Sequence, residues 1–307
     1  MTFMKKGLYK EMSGNKKQLA TGFAILAAAL YAINVPLSKL LLGHVETTMM
    51  AAFLYLGAGL GLFGVGLFQK ASGKAQKQER LTKKELPYTI GMVVLDILAP
   101  IFLMLGIART NSANASLLNN FEIVATSLIA LFIFKEKISK LLWGAIALVV
   151  AASVILSFEG SGAFVFNSGS LFVLAASVCW GMENNCTNKI SHKSAVEIVV
   201  IKGCFSGLGS LIVALIVGET LPALKWMVLV LLLGFVAYGL SINFYIRAQS
   251  TLGAAKTSAF YSVAPFLGVA FSMLLLGERP GVQFYVGLLI MAVSTVLMIK
   301  DTLREEA

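Results

Sequence analysis

Glu122 and Glu183 are the residues of this sequence best placed to do chemistry, because each stands inside a long apolar run. An ionisable side chain near the centre of a bilayer costs on the order of 3 kcal/mol on insertion scales, so such groups mark ion, proton or substrate pathways. A carboxylate in that setting attracts a cation or exchanges a proton, and both acids are read as proton-coupling candidates. Asp96 and Lys202 stand in similar runs. The lysine either neutralises Asp96 across a helix bundle or attracts a substrate carboxylate. Asn119, Glu122 and Thr126 recur at i, i+3 and i+7, as do Trp180, Glu183 and Thr187, so each set shares one helix face. Two such stripes facing each other would make an electronegative pocket.

Aromatic residues and backbone breaks extend the set. The Trp180 ring can stack on a substrate or cap a cation. Tyr238, Ser241 and Tyr245 form one stripe, with Asn243 off it. Pro265 beside Tyr261 and Ser262, and Pro36 beside Asn34, mark local breaks where freed carbonyls can meet a ligand. The substrate-binding candidates are therefore Asn34, Asp96, Asn119, Glu122, Trp180, Glu183, Tyr238 and Tyr261. Glu136 and Glu278, beside Lys137 and Arg279 at the ends of apolar runs, read as corner or cap residues. His44 and His192 lie in gaps without a metal-spaced partner. Cys179, Cys186 and Cys204 form no CxxC pair and read as small core residues. No catalytic residue, metal ligand or cofactor is assigned.

The elements that must position these groups follow from composition. Of the 307 residues 58% are hydrophobic and 13% charged, a balance no soluble domain of ordinary surface-to-volume ratio carries. A crossing needs roughly 20 apolar residues. That ruler predicts ten spans, near 18–42, 47–69, 87–108, 113–134, 138–157, 168–189, 195–218, 224–246, 252–276 and 281–299. The first is read as retained, not as a cleaved signal. A basic tail at 1–17, a connection at 70–86 and a tail at 300–307 remain. The net charge of +10 sits in short gaps between spans, such as Lys70, Lys74, Lys77, Arg80, Lys83 and Lys84, which points to the bilayer and away from nucleic acid. The 70–86 connection reads as a solvated loop touching anionic headgroups. Lys and Arg collect on one side of the ten-span plan, so both termini are expected in the cytoplasm, with a bacterial cytoplasmic membrane as the setting.

The chain also repeats itself. Ser112–Ser116 opens span four and Ala254–Ser258 opens span nine. Glu136 corresponds to Glu278, Gly144 to Gly287, and Tyr31-Ala32-Ile33-Asn34 to Trp180-Gly181-Met182-Glu183, each followed by a lysine, Lys39 or Lys189. Gly57 with Gly61, and Gly203 with Gly207, allow close helix approach in spans two and seven. Five spans per repeat is an odd number, so the second half enters the membrane from the opposite side. The fold expected is all-α integral membrane, ten transmembrane helices as two inverted five-helix repeats over 18–157 and 168–299.

The Glu136 and Glu278 corners, the Ala/Ser-rich openings of spans four and nine, Phe121-Glu122 and Trp180-Gly181 together resemble the drug/metabolite transporters with paired EamA domains. The resemblance covers residues 18–299. It implies a central cavity ringed by spans one, three, four, six, eight and nine, with five and ten peripheral. Span one departs from it, with Tyr31-Ala32 where Trp-Gly is usual.

Function then reads as secondary transport of a small polar metabolite, amino-acid-like or amine-like and moved outward, by alternating access between inverted halves. Without a Walker-type loop, the drive is the proton gradient or the substrate's own. Two other classes compete: an intramembrane lipid-modifying enzyme using Glu122 and Glu183 as a carboxylate pair, and a non-transporting scaffold or receptor. The smooth outer faces of spans five and ten suit a homodimer.

Overall fold

Backbone inside a bilayer must satisfy its hydrogen bonds within itself, which selects helix. The computed structural model describes residues 2–73, 79–135, 139–159, 165–252, 257 and 260–304. Among these, eight stretches are long and apolar enough to cross a membrane: Lys17–Leu41, Thr47–Ala71, Lys83–Arg109, Ser112–Ile133, Lys140–Ser157, Ala195–Ile216, Leu224–Leu252 and Val282–Asp301. They coincide with spans one to five, seven, eight and ten. The chain is a helical, multi-pass integral membrane protein.

The other two spans differ from a plain apolar crossing. Span six is the helix Ser168–Ile190, of 23 residues, but Glu183, Asn184, Asn185, Asn188 and Lys189 make its second half polar. Span nine includes the helix Ala264–Leu276 of 13 residues, about 20 Å long, preceded by a turn at 262 and 263. Glu136, Lys137, Lys74, Lys77 and Ala254 to Lys256, with Ser258, lie outside the described residues. So the corner role of Glu136 and the opening of span nine are not seen. A two-residue antiparallel pair, Phe158 opposite Phe166 and Glu159 opposite Val165, joins the halves and is a small exception to the all-α expectation.

Besides the turn in span nine, spans one, four and eight are interrupted among the described residues. Span one breaks at Ile33, between Thr2–Ala32 and Asn34–Leu41, just before Pro36. Span four was expected as one helix, but it breaks at 119 and 120 between Ser112–Leu118 and Phe121–Phe134. Span eight changes winding: Leu224–Gly234 and Ser241–Leu252 are α-helical, and Phe235–Leu240 between them is π-helical. Such turns concentrate at functional sites.

Packing comes in matched sets. Span two lies on seven, three on six, five on ten and one on eight, with four on six and one on nine. Exchanging each span for its counterpart five places along turns three-on-six into eight-on-one, and four-on-six into nine-on-one. Spans two and seven meet through Gly59 and Gly203: a Cβ on Gly203 would fall 2.3 Å from the Gly59 nitrogen. Gly57 and Gly61 instead face span eight, against the Leu231 carbonyl and the Phe235 ring.

Carboxylates close the corners. Glu278 accepts from the Ser112 and Ala113 amides at 2.8 Å each, capping the first turn of span four, where orphan N–H groups and the helix dipole favour an anion. Glu219 does the same for Thr48 at 3.0 Å and Met49 at 2.6 Å. At the ends where spans two and three meet six and seven, Lys193 pairs with Glu79 at 2.9 Å and Glu85 at 3.8 Å, and Glu197 accepts from the Leu81 amide at 3.2 Å. The described part of the 70–86 connection is thus strapped to the protein, not simply solvated.

Candidate functional site

The polar second half of span six needs partners inside the bundle, and the breaks in spans one, four and eight bring them. Gly181 sets the approach of span six to span four: a Cβ there would meet Ala125 Cβ at 2.6 Å and the Thr126 nitrogen at 2.8 Å. One turn on, Asn185 Nδ2 donates to the Thr126 carbonyl at 3.2 Å and to the Gly181 carbonyl at 2.9 Å. With the helices this close, Asn184 Nδ2 reaches Glu122 Oε1 at 2.6 Å.

The adjacent residue points elsewhere, as consecutive helical positions must. Glu183 Oε1 accepts from Lys202 Nζ at 2.9 Å, and Lys202 Nζ lies 3.1 Å from Asp96 Oδ2. The Thr187 hydroxyl also donates to Glu183, and Tyr55 donates to Asp96 Oδ1 at 2.7 Å. Asp96, Glu183 and Lys202 are all buried. One ammonium thus serves two carboxylates, and each carboxylate has a hydroxyl donor besides. Neutralisation of Asp96 by Lys202, one of the two roles open to that lysine in the sequence, is the arrangement found.

Aromatic rings wall the space above these charges. Tyr31 meets Trp180, Tyr238 and Tyr261 at ring separations of 6.4, 5.8 and 5.9 Å. Tyr245 meets Tyr261 edge-on at 5.0 Å. Trp180 Nε1 donates to the Tyr55 hydroxyl at 3.3 Å. Together with Glu122, Glu183, Asn184, Thr187 and Lys202 these rings enclose a cavity of about 60 Å³. It has room for a few waters and is well below the ~300 Å³ at which ligand pockets usually begin.

Of the candidate binding residues, Glu122, Trp180, Glu183, Tyr238 and Tyr261 line this cavity. Asn34, Asp96 and Asn119 stand behind its wall. Asn34 donates to the Tyr238 hydroxyl at 3.1 Å, Asp96 is linked to the cavity through Tyr55 and Lys202, and Asn119 donates to the Tyr31 hydroxyl at 2.8 Å. The break in span four turns Asn119 off the Glu122 face, towards a small hollow of about 10 Å³ beside Pro265. Thr126 returns its hydroxyl to the Glu122 carbonyl. The tyrosine stripe of span eight also changes: Tyr238 and Tyr245 face the cavity, whereas Ser241 donates to the Ala27 carbonyl at 2.8 Å, because the π-helical turn shifts the register.

Tyr31, Tyr55 and Asn184 are cavity residues that sequence reasoning missed. Tyr31 carried a signal, as the repeat counterpart of Trp180. Tyr55 did not, because it stands on a glycine-rich span that reads as packing. Spans two and seven accordingly contribute to the lining, through Tyr55 and Lys202, which the ring of six cavity spans did not include. Among the described residues no group of three His, Cys, Asp or Glu side chains could hold a metal ion.

Known proteins resemble this chain over most of its length. A transporter from Methanothermobacter thermautotrophicus described as uncharacterized is 24% identical over 270 residues, covering 83% of this chain and 78% of that protein. A protein crystal structure superposes with a TM-score of 0.68 over 94% of this chain and 98% of its own, at 17% identity, a likeness of fold alone. The model of the EamA-like transporter family matches twice, over residues 18–158 and 167–300. Those two segments take in nearly all of the chain, which therefore belongs to the EamA-like transporter family.

Proposed function

We propose that the protein is a secondary transporter that carries a small amine-like or amino-acid-like metabolite outward by alternating access, exchanging it for protons at Glu122. The observation that carries this reading is the unequal treatment of three carboxylates. Asp96 and Glu183 share Lys202, while Glu122 borders the cavity with the neutral Asn184 amide as its donor. Three acids against one ammonium leave a deficit of positive charge, and an uncompensated buried charge is costly. A proton or a cargo cation would supply what is missing, and competition between the two is coupling. The surrounding rings suit an organic cation, since aromatic faces attract positive charge.

Supporting evidence for alternation between inverted halves is the packing pattern, whose most extensive pairs map onto one another when the two sets of five spans are exchanged. The cavity lies on the side from which cargo moved outward would enter. Its lining runs to Thr187 and Ile246, towards the span ends that the positive-inside rule assigns to the cytoplasm. On the opposite side Ser112 and Ser272 are 3.0 Å apart, and Lys39 donates to the carbonyls of Ile107 at 2.5 Å and Thr110 at 2.6 Å. This plan has ten crossings, both termini in the cytoplasm of a bacterial inner membrane, and two copies paired along spans five and ten.

The test is counterflow in liposomes, after metabolite profiling of medium from overexpressing cells has supplied a cargo. Glu122→Gln is expected to insert normally, to lose at least tenfold in exchange and to lose its pH dependence. Wild-type exchange with an unchanged pH profile would remove Glu122 from the mechanism.

A further inference from the structure

A second cavity, separate from the polar site, opens on the lipid-facing side between spans one and eight. Its volume is about 560 Å³, and its walls are Ile33, Leu37, Leu40 and Leu41 on one side and Leu229, Leu232, Leu233 and Val236 on the other, with His44 and Trp226 at one end. Its origin is steric. A Cβ on Gly234 would meet the Leu54 carbonyl oxygen at 2.0 Å, and one on Gly57 the Leu231 oxygen at 2.1 Å. These glycines draw span eight against span two, away from the second half of span one, and the wedge left behind is lined by branched aliphatic side chains.

Two features indicate what fills it. The groove runs from Trp226 to Val236, ten residues or about 15 Å at ~1.5 Å per residue, which is one leaflet of a hydrocarbon core ~30 Å thick. At its mouth Trp226 is held between two basic groups: His44 stacks on it at 3.8 Å with planes 7° apart, and Lys225 Nζ stands 4.2 Å from the ring centroid. An aromatic ring with an exposed lysine is the composition of a headgroup-level anchor. The acids of the same corner are engaged elsewhere: Glu219 caps the start of span two, and Glu46 accepts from the Thr220 hydroxyl at 3.4 Å.

We infer that this groove is a lipid-binding site that takes one acyl chain of a glycerophospholipid, with the lipid phosphate at Lys225 and His44. Its inner end lies against Ile33, where span one breaks, and Leu233, which precedes the π-helical turn. A seated chain would therefore wedge the two interrupted spans that carry Tyr31 and Tyr238.

Native mass spectrometry of the full chain, purified in mild detergent, would count retained lipids without reference to transport. Phosphatidylethanolamine, phosphatidylglycerol and phosphate-free diacylglycerol would then be added back at equal concentration. Wild type is expected to hold one phospholipid. Leu232→Trp, at a position 54% exposed, should fill the groove and abolish retention. Lys225→Gln, on the exposed first turn, should weaken it about fivefold, as removal of one basic residue near a headgroup would. Retention unchanged in Leu232→Trp, or in Lys225→Gln, would overturn the inference. So would diacylglycerol binding as well as either phospholipid.

Discussion

At the scale of single residues, Lys202 and Glu122 should behave as opposites. Lys202→Met removes the cation shared by Asp96 and Glu183, and stranding a buried partner costs about 3 to 5 kcal/mol. A large fall in melting temperature is expected, with partial recovery when Asp96→Asn is added. Glu122→Gln, whose partner is a neutral amide, should melt within a few degrees of wild type. Equal melting of the two single variants would show that the ion pairs contribute little. Neutralisation of Asp96 by Lys202 was one of two roles the sequence left open for that lysine, because two opposite charges in apolar runs have few other ways to be stabilised. The division of labour between Glu122 and Glu183 could not be read from it. It depends on Asn184 and Glu183, adjacent in sequence, pointing to different neighbours, and no periodicity names those neighbours.

At the scale of elements, Gly181 and the Lys193 strap are the sensitive points. Gly181→Val would drive side-chain atoms into Ala125 and Thr126. An overpacking cost of about 1 to 3 kcal/mol is expected, together with loss of the Glu122 contact to Asn184 and hence of transport. Melting temperature and counterflow check both parts. For the strap, the hydrogen bond and charge of Lys193 hold the Glu79 carboxyl below its ordinary value, and the hydrogen bond to Glu79 raises the Lys193 ammonium above its own. Hydrogen bonds from the Thr82 side chain and amide lower Glu85 likewise. The strap therefore stabilises fully above the ordinary glutamate value of 4.5 and weakens as pH falls through the lowered range. On the alkaline side it is complete below 10.5 and lost as pH rises through the raised lysine value. The melting gap between wild type and Glu79→Gln should be present at neutral pH and vanish in acid; a gap independent of pH would contradict the pairing. Span boundaries were legible because apolar runs end in charges, prolines and glycines. The break at Ile33 was legible from Pro36 beside Asn34; the break at 119–120 and the π-helical turn were not, since Asn119, Asn120 and Phe235–Leu240 contain no proline and the surrounding bundle decides the winding.

At the scale of the whole molecule, the ten-span plan predicts which surfaces meet which compartment. In a background with Cys179, Cys186 and Cys204 replaced by serine, a membrane-impermeant maleimide applied to intact cells should label Thr220→Cys, between spans seven and eight, and miss Ser72→Cys, at the end of span two. The reverse pattern would invert the orientation and the direction of transport argued from it. The glutamate caps also bear on how the chain is made. Ser112 waits for Glu278, 166 residues later, and Met49 waits for Glu219, 170 residues later. At ~5 to 20 residues per second, synthesis of that intervening length takes roughly 10 to 30 s. Throughout that interval the first half sits in the membrane with the leading turns of spans two and four lacking their capping carboxylates. The first half is thus completed only when the ribosome has nearly finished the second.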